Sequence, residues 1–223
     1  MLINSNIKEL YEKIRNTLFY MIPEKWDSIY LYATVISREN NEETGQMFFY
    51  YFPKGILKKN PVNVYQIPQK FSLREEEYIK LADGLYDLIK QLKRACVKYE
   101  KLDWSNVTIS IKNINFLAEY NCDNLLTSKY TSEDRMIIWQ YKYLNYPIEK
   151  FNKEQRKIID EYIQEEKQGM HKIKTYIDSF YKPHVHNNIQ YDIEKNTEQY
   201  VKVDEENHEE EEEIVVRNQI LKY

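Results

Sequence analysis

Four histidines, two cysteines and a few carboxylates are the residues of this chain whose types could support catalysis or metal binding. His184-Val185-His186 would set two imidazoles on one side of a strand, with His171 or His208 as a third ligand. No cysteine or carboxylate stands at a metal-site spacing around them, so no metal centre is expected. Cys96 falls on the apolar side of a helical pattern and Cys122 just beyond a strand pattern. No His, Ser or Lys is set by sequence to activate either thiol, and both read as reduced, structural hydrophobes outside any disulfide framework. Glu42-Glu43 and Glu75-Glu76 read as solvated faces. Asp27 beside Trp26 and Asp123 after Cys122 could stand as carboxylates in a cleft, but a cap or turn role weighs more, because Asp is a favoured turn residue. With only 4 Gly in the chain, neither a phosphate-cradling loop nor a dinucleotide fingerprint can be built. No catalytic residue and no cofactor are therefore expected, and the chain reads as a non-enzyme.

Charge narrows the partners. Residues 1–165 hold 24 basic against 23 acidic side chains, and residues 166–223 hold 8 against 13, so the net −4 resides at the C-terminal end. Binding along a phosphate backbone needs clustered Lys and Arg that release counterions, so direct nucleic-acid binding is not expected. The 21 Tyr, beside many Asn, Lys and Ile, fit an AT-rich coding bias and are not in themselves a binding signature. No apolar run reaches the length of a membrane span. Lys8, Glu9, Glu12, Lys13 and Arg15 interrupt the place where a signal peptide would be apolar, which leaves a cytoplasmic product as the expectation.

The elements that must position any site follow from periodicity. The segment 132–144 carries Met136, Trp139 and Tyr143 on one side and Ile137, Ile138 and Tyr141 on the other, which predicts a short helix buried on two faces. Thr131 to Asp134 supplies its capping oxygens, and Asn145 and Pro147 end it. A helix over 4–21 is predicted from the stripe Ile7, Leu10, Tyr11, Ile14, Leu18 and Met21. A longer one over 72–101 is predicted from Tyr78, Leu81, Leu85, Ile89, Leu92 and Cys96, opened by a capping box at Ser72-Leu73-Arg74-Glu75. Alternation predicts strands at 28–37, 46–52, 62–67, 106–111 and 115–120, paired mainly antiparallel. Beyond Pro147, Asn152 can cap a further helix whose phase resumes after Gly169 with Met170, Ile173, Tyr176, Ile177 and Phe180. The fold expected is α+β: a mainly antiparallel sheet packed by an N-terminal helix, a long middle helix and a short buried helix. Residues 1–165 form the domain, and 166–223 form a helical extension with an acidic, mobile tail, eight of the ten residues from Asp204 to Glu213 being acidic.

Several separated blocks carry a resemblance. Trp26-Asp27-Ser28-Ile29-Tyr30-Leu31-Tyr32-Ala33, the strand Phe48 to Gly55, Trp104-Ser105-Asn106-Val107-Thr108-Ile109, Phe116 to Asp123, and above all Arg135 to Leu144 resemble the YezG-like (EsaG-like) immunity proteins over residues 5–165. The resemblance implies a cytoplasmic antitoxin that neutralises, by a stoichiometric complex, the C-terminal nuclease domain of a toxin with an LXG-type export domain, in bacteria with type VII secretion. The stretch past Glu166 and the acidic run have no counterpart in that pattern. The alternative is a small enzymatic or nucleic-acid-associated domain that stacks bases on its ring-rich strands.

Within the immunity reading, the partner-binding residues expected are Tyr30, Tyr32, Tyr50, Tyr141 and Tyr143. Tyr30 and Tyr32 lie opposite Ile29, Leu31 and Val35, so either one face of the sheet is free to present rings or a second helix covers it too. For the run 204–213, a charge mimic entering a basic nuclease cleft stands against a passive solvated extension, and the passive one is expected because the resembling blocks end before it.

Overall fold

The computed structural model describes residues 4–37, 43–55, 60–112, 115–171 and 173–178. In chain order the elements are α1 (Ser5–Met21), β1 (Trp26–Thr34), β2 (Ile36–Ser37), β3 (Glu43–Thr44), β4 (Met47–Pro53), β5 (Val62–Asn63), α2 (Ile67–Phe71), α3 (Glu75–Ala95), β6 (Asn106–Lys112), β7 (Asn115–Asn121), α4 (Ser132–Leu144), α5 (Lys153–Lys167) and β8 (Ile173–Asp178). The protein is α+β. Its described residues gather into two units, 4–27 with 50–102 and 28–49 with 103–178. Among the described residues no helix is long and apolar enough to cross a membrane.

The first unit is built on α1 against α3. Asn4 caps α1 by accepting from the Asn6 N–H, and the stripe Ile7, Tyr11, Ile14, Leu18 and Met21 is buried, as are Tyr78, Leu85, Ile89 and Leu92 of α3. The Tyr78 hydroxyl donates to the Met21 carbonyl at 3.0 Å, satisfying a helix-end acceptor that α1 cannot satisfy itself. The buried Tyr51 donates to the Glu24 carboxylate at 2.6 Å, and Lys70 pairs with the same carboxylate.

Two expectations fail here. The strand predicted over 62–67 is only Val62–Asn63, paired with Tyr51 and Tyr50. Asn63 then caps a 3-10 turn in a box with Gln66, and Pro68 opens α2, where its missing N–H has no intrahelical partner to lose. Nor does Ser72 open the long helix. It closes α2 in the left-handed conformation at φ 53°, and α3 starts at Glu75 with no side-chain cap. Glu75, Glu76 and Glu77 in the first turn of α3 instead meet the positive end of its dipole.

The second unit holds a sheet in the order β4-β1-β6-β7-β8. Strands β1, β6, β7 and β8 pair antiparallel in sequence, with Leu31 opposite Ile109, Ile109 opposite Ala118, and Glu119 opposite Thr175. Capping boxes start both helices: Thr131 with Asp134 for α4, and Asn152 with Gln155 for α5. α4 has the predicted bounds but not the predicted burial on two faces. Ile138, Trp139 and Leu144 are buried, whereas Met136, Ile137, Tyr141 and Tyr143 are half-buried. The helical phase expected after Gly169 is also overturned. α5 ends at Lys167, Gly169 turns the chain at φ 70°, and residues 173–178 pair with β7 as a strand. Ile-Lys-Thr-Tyr-Ile fits a pleated edge as well as a helix, and β7 offers an edge to pair with. The described part of this unit thus reaches residue 178. Phe180, His184, His186, His208 and the acidic run 204–213 lie outside the described residues.

Candidate functional site

Alternation in β1, β6 and β7 puts Tyr30, Tyr32, Asn106, Thr108, Ser110, Glu119 and Asn121 on one face of the second unit's sheet. This is the face that the sequence leaves open to either solvent or a helix. The helix is there. Trp139 of α4 donates its indole N–H to the Thr108 hydroxyl at 3.1 Å. Its ring stands 6.0 Å from Tyr32, 5.2 Å from Phe48 and 5.6 Å from Tyr143. Polar residues that read as solvent-facing are therefore roofed by an indole that satisfies one of them.

The five tyrosines expected at a binding surface separate accordingly. Tyr30 and Tyr32 are only 5% and 4% exposed and cannot be presented to a partner from the sheet, and Tyr50, in the other unit, is buried as well. Tyr143 and Tyr141 are half-buried. Tyr143 joins Tyr30, at 6.5 Å, and Trp139 in one ring cluster, while Tyr141 turns away to meet Phe151 at 6.2 Å. The same burial leaves no open ring platform on β1 for stacked bases, which weakens the nucleic-acid alternative.

Between α4, α5 and the β6–β7 hairpin lies a small cleft of about 80 Å³, lined among others by Tyr32, Thr108, Glu119, Asp123, Arg135 and His171. Its walls are heavily bonded. Arg135 donates to the Tyr130 carbonyl at 2.6 Å. Burial pushes the Tyr32 phenol up to about 12, although the Arg135 guanidinium beside it works in the other direction. The Tyr143 phenol is also raised, by burial first and then by Glu119. His171 lies between two carboxylates, Nδ1 bonded at 2.7 Å to Asp123 Oδ2 and Nε2 3.4 Å from Glu165 Oε2, and its ring stacks on Tyr162 at 4.4 Å. Glu165 in turn accepts from the Tyr130 hydroxyl at 2.9 Å and pairs with Lys129 at 2.5 Å. Burial works to raise its carboxyl, but the bonds from Lys129 and Tyr130 hold it below the usual carboxylate range. The Tyr130 phenol is pushed up to about 12 by burial and by Glu165.

Nδ1 of His171 is taken by Asp123, while Nε2, 3.4 Å from Glu165, makes no hydrogen bond. Among the described residues no group of three His, Cys, Asp or Glu side chains is placed to hold a metal ion. Sequence reasoning weighed Asp123 as a cleft carboxylate or a turn residue, and it is both, since its N–H donates to Asn121 Oδ1 at 2.6 Å. The pairing with His171, 48 positions away, carries no local signal and could not be found from spacing.

Comparison with known proteins agrees with the blocks noted in the sequence. The family model described as "Immunity protein YezG-like" matches residues 7–159. The chain is 27% identical over 137 residues, 61% of its length and 81% of the relative's, to Immunity protein YezG of Bacillus spizizenii. It is 27% identical to Immunity protein YezG of Bacillus subtilis over 62% of this chain and 87% of that one. It is also 24% identical to the Type VII secretion system protein EsaG of Staphylococcus aureus, over 74% of this chain and 98% of that one.

Proposed function

The chain belongs to the YezG-like immunity protein family, and from its immunity role we propose that it neutralises a cognate toxin by forming a stoichiometric protein–protein complex. The toxin is of the LXG type exported by type VII secretion, its target domain is the C-terminal nuclease, and the complex forms in the cytoplasm before export. The observation that carries this reading is the extent of the match, which runs through both units, from α1 into α5. Similarity to a relative whose name ties it to type VII secretion supports the export route. A non-enzymatic mode fits the similarity to relatives named as immunity proteins. The test is co-expression with the toxin encoded beside this gene. Cells carrying both are expected to survive, and the two proteins to co-purify in equal amounts. Cell death with both proteins confirmed in the soluble fraction rules out the immunity reading for that pair.

A further inference from the structure

Among the described residues β8 is the outermost strand of its sheet, with β7 as its neighbour. A short edge strand depends on whatever fastens its ends, because it is bonded to fewer neighbours than a central one. Here one end is fastened by side chains. The ladder sets Asn121 opposite Ile173, and two places beyond that pair, in the same register, stand Asp123 and His171. Their side chains meet, His171 Nδ1 lying 2.7 Å from Asp123 Oδ2. The other ring nitrogen, Nε2, is 3.4 Å from Glu165 of α5 and is buried without a hydrogen-bond partner. The imidazole therefore stands where three segments come together: the loop after β7, the end of α5 and the chain entering β8.

A ring nitrogen 2.7 Å from a carboxylate oxygen carries the proton between them. In a neutral imidazole the second nitrogen is then a bare lone pair, and here it would face the Glu165 carboxylate, acceptor against acceptor. Only the imidazolium offers a hydrogen to both. Glu165 is the ionised partner this needs, since the bonds from Lys129 and Tyr130 outweigh burial and hold it below the usual carboxylate range. With 11% of the His171 side chain exposed, little water can stand in for a lost contact. The Tyr162 ring stacked at 4.4 Å also suits a cationic neighbour. Glu119, Arg135 and Lys142 are the other charged groups lining this cleft; Arg135 is bonded to the Tyr130 carbonyl and Lys142 to Glu166. The phenols of Tyr32, Tyr130, Tyr143 and Tyr162 are all raised, by burial first, and stay neutral. Imidazole is the side chain whose charge changes near neutral pH. We propose that His171 is a proton-operated clasp: as imidazolium it ties Asp123 to Glu165 and holds β8 on β7, and when its proton passes to solvent the clasp opens and the edge strand loosens. The clasp and β8 lie beyond residues 7–159, which the family model matches, so this inference does not rest on the immunity reading.

The test follows the full chain by NMR from about pH 5 to about pH 8, reading the imidazole signals of His171 and, by hydrogen exchange, the protection of the β8 amides. Protection factors are compared rather than raw rates, which removes the intrinsic pH dependence of exchange, and the amides of β6 serve as the reference inside the sheet. Protection of β8 is expected to fall by about tenfold as pH rises, the worth of one hydrogen bond to a charged group. The fall should share its midpoint with the His171 signals while β6 stays level. His171→Gln has nothing to titrate at this position, so its β8 protection should be low and flat across the range. Glu165→Gln gives Nε2 an amide donor and should shrink the fall. If either variant fails to fold, the titration of the parent decides alone. The proposal is overturned by β8 protection that stays level while His171 titrates, by an imidazole that keeps one protonation state throughout, or by a fall undiminished in His171→Gln.

Discussion

Trp139 ties α4 to the sheet of the second unit. It is 3% exposed, it holds the hydroxyl of Thr108, and it meets the rings of Tyr32, Phe48 and Tyr143. Trp139→Ala removes that burial and leaves a cavity, which should cost about 3 to 5 kcal/mol, a large part of a domain's stability. Thr108→Val tests the hydrogen bonds at this hydroxyl: the indole N–H loses its acceptor and Tyr143 its bond to the same oxygen, at about 1 to 3 kcal/mol. Denaturant melts of the two variants check both, and an Ala variant that melts with the parent would show that α4 does not close this face. Glu165 supplies a test by pH. Its folded carboxyl is held below the ordinary value by Lys129 and Tyr130, so it favours folding above the unfolded glutamate value of about 4.3, and that contribution is lost as pH falls through the lower, folded one. The stability gap between the parent and Glu165→Gln should therefore be widest near neutrality and close in acid. Thermal melts across that range check the sign. Tyr130 behaves oppositely: its phenol is raised to about 12, so its contribution is complete below about pH 10 and is lost as pH climbs through the raised value.

Elements show where the sequence was readable. The bounds of α4 were legible because Thr131 and Asn145 mark them and a capping box leaves little choice, and β6 and β7 were legible because alternation runs unbroken through each strand. Ser72 misled because a hydroxyl three residues before a glutamate fits a helix start, whereas the competing turn around Pro68 used it as a stop. The strand at 173–178 misled because Ile173, Tyr176 and Ile177 satisfy a helical period, and only the partner edge of β7, distant in sequence, decides between periods. Burial of Tyr30 and Tyr32 was illegible for the same reason: alternation shows which residues share a face, not what covers it. Two of the glycines turn these readings into a paired prediction. Gly84 lies inside α3 with nothing within 4 Å of an added Cβ, and Gly169 is equally uncrowded but sits at φ +70°. Gly84→Ala should stabilise by about 0.5 to 1 kcal/mol, since helical backbone suits alanine. Gly169→Ala should destabilise by about 1 to 2 kcal/mol through backbone strain alone. Equal shifts of the same sign in denaturant melts would contradict the turn geometry that delivers the chain to β8.

At the scale of the whole chain, charge separates a near-neutral body from an acidic end, and the question is whether that end takes part in binding. The eight acidic residues within 204–213 resemble what a charge mimic of DNA would need, because a nuclease cleft is basic and long-range attraction speeds encounter. Against this, the family match stops at residue 159, and the relatives in Bacillus are matched over most of their own length by a segment of 137 or 139 residues. The part of the chain that these proteins share thus does not include the run. We therefore expect the acidic end to be a passive contributor to solubility. Truncation after Lys182 removes it and retains every described residue. The truncated chain should associate with the toxin at nearly the parental rate in low salt, and both rates should respond alike as salt is added. Stopped-flow association at two ionic strengths makes the measurement. A rate that drops sharply on truncation at low salt, with the difference vanishing at high salt, would show that the acidic run steers the encounter and would overturn the passive reading.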